Sequence, residues 1–216
     1  MNHYHTILFD LDGTLTDPGI GITNSAMYAL KKFGITITDR SKLYPFIGPP
    51  LLDSFEKYYH FTPNEAKTAV TYYREYYTDK GIYENLLYPG IDALLRSLNA
   101  SGRKVILATS KPEPFAEKIL KHFHLLNYFD FVGGALLDET RTAKDEVIAH
   151  VLTSCNIDVA GTVMIGDREY DIIGARKNGL ASIGVLYGYG SREELENAGA
   201  DCIAESVTDL QNILLK

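Results

Sequence analysis

Six short apolar runs bounded by turn residues do most to limit how this chain can fold: residues 6–9, 104–108, 130–132, 162–165, 181–185 and 202–204. Several are rich in Val and Ile and lack the polar alternation of a half-exposed strand, so they read as strands buried on both faces. From about residue 88 onward they alternate with helical segments. That rhythm implies a parallel sheet wrapped by helices, an α/β, doubly wound, Rossmann-like core. Ile91, Leu94, Leu95 and Leu98 form an apolar stripe at helical spacing, and Ile119, Leu120 and Phe123 continue the next helix in the same way. Ser110-Lys-Pro-Glu113 and Ser191-x-x-Glu194 read as helix starts.

The rhythm breaks between the first strand and residue 88. There the pattern is helical only, over residues 22–33, 51–59 and 62–80, with Thr62-Pro63-x-Glu65 as a capping box and first-turn proline. A structureless loop of that length would be improbable, so a helical domain inserted after the first strand is the economical reading. The predicted division is a core of residues 1–16 and 88–216 and a helical domain of residues 17–87. That domain holds the pairs Tyr58-Tyr59, Tyr72-Tyr73 and Tyr76-Tyr77. Such pairs at helical spacing fill a small bundle's core and rim, and they are also able to stack on a nucleobase. Gly19-Ile-Gly21-Ile-Thr-Asn24 lacks the third glycine of a dinucleotide fingerprint and reads as a flexible hinge.

Composition narrows the function classes. In 216 residues, 21 Lys and Arg stand against 28 Asp and Glu, a net charge of −7. That argues against a nucleic-acid groove or an anionic membrane surface, both of which need a basic face. No stretch approaches 18 apolar residues, the threshold for a membrane span. The opening MNHYHTILFDLDG lacks the basic and apolar regions of a leader, and the expected location is cytoplasmic. Cys155 and Cys202 form no metal-like or redox pair, and the six histidines show no zinc spacing. The expected partner is a small metabolite, with no nucleic-acid polymer and no membrane, and the chain is expected to be a monomer or homodimer.

The chemistry is concentrated at the strand ends. Phe9-Asp10-Leu11-Asp12-Gly13-Thr14-Leu15-Thr16 follows the first apolar run directly. In an extended segment residues i and i+2 face the same way, so Asp10 and Asp12 can share one site beyond the strand's carboxyl end, where open α/β sheets place ligands. Two carboxylates so close repel unless a cation lies between them, and oxygen ligands suit Mg²⁺. An EF-hand reading fails, because the sixth and twelfth positions counted from Asp10 are Leu15 and Gly21 rather than Gly and Glu. Gly166-Asp167 closes another strand, and Asp171 four residues on is placed to orient a ligand or to sit as a favourable first-turn charge. Thr109 and Ser110 end the second run at a helix start, a ready anion cradle in which Ser110 is equally suited to capping. Lys144 opposes a helix dipole unless an anion offsets it.

In sequence order the strand ends thus carry Asp-x-Asp, Thr-Ser, a basic helix start and Gly-Asp-x-x-x-Asp. That series resembles the haloacid dehalogenase superfamily of phosphatases and phosphotransferases, and the resemblance covers essentially the whole chain. It implies a HAD-type core with an inserted α-helical cap. It implies Asp10 as the nucleophile that becomes an aspartyl-phosphate, and Asp12 as the acid and base. Thr109 and Lys144, with Ser110, would hold the phosphoryl oxygens. The metal would be Mg²⁺ on Asp10, the main-chain carbonyl of Asp12, and Asp167, with Asp171 assisting. An acid at the position of Asp12 implies phosphate-ester chemistry, and Ile20 stands where the β-phosphoglucomutases carry a cap histidine.

Phe46-Ile47-Gly48-Pro49-Pro50-Leu51 is similar to a segment of the 5′-nucleotidase and phosphoglycolate phosphatase branch, as are the surroundings of Thr109 and Lys144. Gly48, Pro49 and Pro50 would form a stiff loop, serving either as a substrate contact or as a plain turn. The reading is therefore a phosphatase for small phosphorylated metabolites, nucleoside monophosphates first. Phosphoglycolate or sugar phosphates come next, then a β-phosphoglucomutase-like transfer, then a non-catalytic binding domain of the same fold.

Overall fold

All six apolar runs form strands of one sheet in the computed structural model, which describes residues 4–138 and 140–216. In chain order the first elements are β1 (Thr6–Phe9), β2 (Thr16–Asp17), α1 (Gly19–Lys32), α2 (Leu51–Tyr59), α3 (Pro63–Tyr77) and β3 (Leu86–Leu87). Then come α4 (Ile91–Ala100), β4 (Lys104–Pro112), α5 (Glu113–His122), β5 (Phe131–Ala135), α6 (Lys144–Ser154) and β6 (Thr162–Gly166). The last are α7 (Glu169–Lys177), β7 (Ala181–Val185), α8 (Arg192–Ala198), β8 (Cys202–Ala204) and α9 (Val207–Leu215). The chain divides into one unit of the N-terminal stretch through Thr16 with Leu87–Lys216, and a second unit of Asp17–Leu86.

The sheet runs β5-β4-β1-β6-β7-β8, and every neighbouring pair is parallel. Ile7 pairs with Val105 on one side and Val163 on the other, so the first strand of the chain lies inside the sheet. Ile7, Leu8 and Phe9 are fully buried, as are Val105 to Leu107 and Val163 to Ile165. Burial on both faces is why these runs lack polar alternation, and each such side chain contributes about 1.5–3 kcal/mol. The order reverses around β1. A crevice outside the carboxyl ends of β4, β1 and β6 is the place such a topology offers a ligand.

Two expectations about local structure are corrected. Ser110 does not start a helix: β4 continues through an irregularity between Thr109 and Pro112, and α5 begins at Glu113 after Pro112, with no side-chain cap. Proline fixes the turn by its own φ, here −54°. Gly19 to Asn24 is no hinge either. Gly19 opens α1, and a Cβ on Gly21 would lie 1.9 Å from the Gly81 carbonyl oxygen, so glycine is there to let two backbones meet.

The helical unit is built as its sequence reads. Glu65 N–H donates to Thr62 Oγ1 while the Glu65 carboxylate accepts from Thr62 N–H, a capping box with Pro63 in the first turn. Its interior is aromatic: Phe46 and Phe55 pack edge to face at 5.0 Å, Phe61 stacks on Phe55 at 5.9 Å, and Tyr73 stacks on Tyr77 at 5.4 Å. Tyr73 and Tyr77 are buried, while Tyr44, Tyr58 and Tyr83 are exposed. No helix among the described residues is long and apolar enough to cross a membrane.

Candidate active site

The turn after β1 is closed by its own backbone. The Leu11 carbonyl accepts from the N–H groups of Thr14, Leu15 and Thr16, and Gly13 N–H donates to Thr16 O at 2.8 Å. Gly13 has φ +82°, and a Cβ there would lie 2.1 Å from Asp167 Oδ2. The turn therefore needs glycine twice, once for its backbone and once for the carboxylate lying against it. Asp10 N–H donates to the Ile165 carbonyl of β6, which fixes where its side chain starts.

Lys144, the first residue of α6, is the pivot. Its Nζ lies 2.6 Å from Asp10 Oδ1, 2.8 Å from Asp171 Oδ1 and 3.0 Å from the Ala108 carbonyl. The cation at a helix start has the anionic partners that its position requires. Burial alone would lower the Lys144 ammonium, but the carboxylates of Asp10 and Asp171 outweigh it and hold it above its ordinary value. Asp171 Oδ2 also accepts from Arg168 N–H at 3.1 Å, so one carboxylate caps α7 and holds the lysine. Burial raises the Asp171 carboxyl, with Lys144 opposing. A short ion pair of Arg168 with Glu194, at 2.8 Å, steadies the start of α7 from α8.

Asp167, at the end of β6, is fully buried. Its Oδ2 accepts from Tyr189 N–H at 2.7 Å, while Oδ1 has no hydrogen-bond partner among the described residues. Burial pushes its carboxyl well above the usual range, and Asp171 and Asp10 add to the shift. One ligand oxygen from each of Asp10, Asp167 and Asp171 lies within 4.8 Å of the others. An orphaned buried carboxylate oxygen in an all-oxygen cluster fits a hard divalent cation such as Mg²⁺. So does the charge: among the described residues, the buried charged side chains are Asp10, Asp12, Asp167 and Asp171 with Lys111 and Lys144.

The other expected residues are also located. Asp12 is buried and its Oδ2 is ion-paired with Lys111. Burial raises its carboxyl, and Lys111 works against that. The Asp12 side chain is thus held by a different lysine from Asp10 and does not join the three-carboxylate cluster. Thr109 is buried, with its Oγ1 accepting from Lys111 N–H at 3.2 Å. Ser110 lies half-buried between them in the strand. Gly48, with φ +108°, Pro49 and Pro50 form the turn into α2, for which Pro50 is the N-cap.

Two features escaped the sequence reading. Lys111 lies two residues beyond Thr109, inside the irregular stretch of β4, where simple strand alternation no longer says which way a side chain points. Its place at Asp12 therefore has no signature in the sequence. The Gly188-Tyr189 loop reads only as a turn, yet a Cβ on Gly188 would lie 2.3 Å from Gly13 O and 2.4 Å from Asp167 Cβ. A backbone N–H reaching a carboxylate across that sequence distance leaves no local signature.

Among known proteins, the chain matches the haloacid dehalogenase-like hydrolase family over residues 7–185. It is 48% identical over 192 residues to a 5′-nucleotidase of Pseudomonas aeruginosa, covering 89% of this chain and 87% of that one. It is 33% identical over 202 residues to the tyrosine-protein kinase PtkA of Mycobacterium tuberculosis, covering 94% and 69%. A predicted phosphatase from Clostridium acetobutylicum superposes with a TM-score of 0.96 at 51% identity, covering 98% of each chain.

Proposed function

Because the chain belongs to the haloacid dehalogenase-like hydrolases and is a phosphatase, we propose that it hydrolyses small phosphate monoesters, nucleoside monophosphates first, through a phosphorylated Asp10. The observation that carries this reading is the buried Asp10 carboxylate at the end of an interior strand, held by Lys144 beside the unpartnered oxygen of Asp167. The likeness to a 5′-nucleotidase supports the substrate class.

Asp10 attacks phosphorus, the bond from phosphorus to the leaving oxygen breaks, and Asp12 gives that oxygen its proton. Asp12 then takes a proton from water, which attacks the aspartyl-phosphate, releasing inorganic phosphate and restoring Asp10. Thr109, Ser110 and Lys144 hold the phosphoryl oxygens as charge develops on them. Asp171 keeps Lys144 in place. Asp10, the main-chain carbonyl of Asp12 and Asp167 would hold Mg²⁺, which when bound would neutralise charge on the phosphoryl group. To the helical unit we assign the part of a cap that excludes water and selects the substrate, with Gly48, Pro49 and Pro50 as its substrate loop. Cys155 and Cys202 are both free thiols, in keeping with a reducing, cytoplasmic location.

The test is phosphate release with Mg²⁺ from nucleoside 5′- and 3′-monophosphates, phosphoglycolate, sugar phosphates and an aryl phosphate. Turnover should concentrate on the nucleotides and fall at least about 1,000-fold in Asp10→Asn. Flat nucleotide activity beside strong phosphoglycolate or sugar-phosphate activity overturns the substrate class. Turnover that survives in Asp10→Asn overturns the nucleophile.

A further inference from the structure

Asp12 has two differently placed oxygens. Oδ2 is ion-paired with Lys111, whereas Oδ1 is buried with no hydrogen-bond partner among the described residues. Both side chains are almost wholly enclosed, at 6% exposure for Lys111 and 10% for Asp12. A buried ion pair of this kind is weak support for stability, since desolvating both charges offsets their attraction. Orientation is what it does supply: a carboxylate anchored through one oxygen has its other oxygen held at a fixed place.

The lysine is itself held from the backbone. β4 passes through an irregularity between Thr109 and Pro112, and irregularities of this type re-aim side chains beside active sites. Lys111 N–H donates to Thr109 Oγ1, which ties the lysine's backbone to the buried threonine side chain. Pro112 then fixes the chain immediately after it. Its ammonium is thus delivered to Asp12 by an element that does not carry Asp12.

We propose that Lys111 is a positioning residue for Asp12: it anchors Oδ2 so that Oδ1 alone meets the leaving oxygen of the substrate. The inference rests on the reading of Asp12 as proton donor. It predicts a dependence on the leaving group, because a donor matters most when the departing oxygen is strongly basic and least when it leaves unaided.

The experiment compares kcat/KM for a simple alkyl phosphate and for dinitrophenyl phosphate in the Mg²⁺-loaded full chain. In Asp12→Asn the alkyl substrate should lose on the order of 100-fold or more and the dinitrophenyl substrate far less. Lys111→Met should lose about tenfold or more on the alkyl substrate and under about threefold on the activated one. In the Asp12→Asn background Lys111→Met should add less than about twofold. Lys111→Arg keeps the charge but displaces the anchor, so it should show the same selectivity at reduced size. It decides the matter if the methionine variant does not fold. Equal losses on both substrates, or additive losses in the double variant, overturn the role of Lys111. Equal losses in Asp12→Asn itself overturn the reading of Asp12 instead.

Discussion

The crevice at the strand ends and the interior of the helical unit are built from opposite materials. Among the described residues, the buried charged side chains are Asp10, Asp12, Lys111, Lys144, Asp167 and Asp171, and all of them belong to the crevice. The helical unit buries Phe46, Phe55, Tyr73 and Tyr77, and its carboxylates Asp39 and Glu65 stay at the surface as caps. Burying charge costs several kcal/mol per ion before pairing, whereas burying an aromatic ring is favourable outright. One region therefore gives up stability for chemistry, and the other is organised for packing.

The sharpest way to break that contrast is to remove the cation that the crevice shares. Lys144→Met leaves Asp10 and Asp171 buried without it. Turnover should fall on the order of 100–1,000-fold, and chemical denaturation should show a loss of about 3–5 kcal/mol. A variant with turnover near that of the parent would show that the ion pairs are structural ballast.

In the helical unit, Phe55→Ala should cost about 3–5 kcal/mol by leaving a cavity against Phe46 and Phe61. Amide exchange in α2 and α3 reads it directly. A cost below about 1 kcal/mol would mean that the aromatic cluster is loosely packed.

The smallest effect separates the two regions by pH. Burial raises the Asp167 carboxyl, so the folded protein binds that proton more tightly than the unfolded chain. Its contribution to stability is complete below the ordinary value of 3.8 and is lost as pH rises through the raised one. Glu65 runs the other way: its hydrogen bonds with Thr62 lower its carboxyl. Its contribution is present above the ordinary 4.5 and is lost as pH falls through the lowered value. At neutral pH and without metal, Asp167→Asn should raise the melting temperature by about 2–5 °C and leave the acid-side slope from Glu65 intact. Mg²⁺ should raise the melting temperature of the parent and not that of the variant. A melting temperature lowered by Asp167→Asn would contradict the account.

Residues whose placement follows from local spacing are legible in the sequence itself. The six strands, the capping box at Thr62 and the meeting of Asp10 with Asp167 rest on periodicity or on the carboxyl-end rule for parallel sheets, whereas Lys144 and Asp171, each at the start of a helix, are joined to that site by the family resemblance. Legibility failed where proline was read as the start of a helix instead of the end of a strand. That single misreading hides Lys111 and offers Ser110 as a cap beside its reading as a phosphate ligand. It failed again at Gly21 and Gly188, where the reason for glycine is another backbone or a distant carboxylate. Spacing carries information about which face a side chain shares, and none about which remote segment will press against it.

The position of β1 has a consequence for how activity arises during synthesis. The strand that carries Asp10 is made first, yet its register partners lie on β4 and β6, far along the chain. Such long-range pairings form late and slowly, after large loops have closed. A nascent chain emerging from the ribosome holds Asp10 long before it holds Lys144, Asp167 or Asp171. The buried cluster therefore assembles only when the later strands have joined β1, and partly made chains carry an Asp10 without its Lys144 partner.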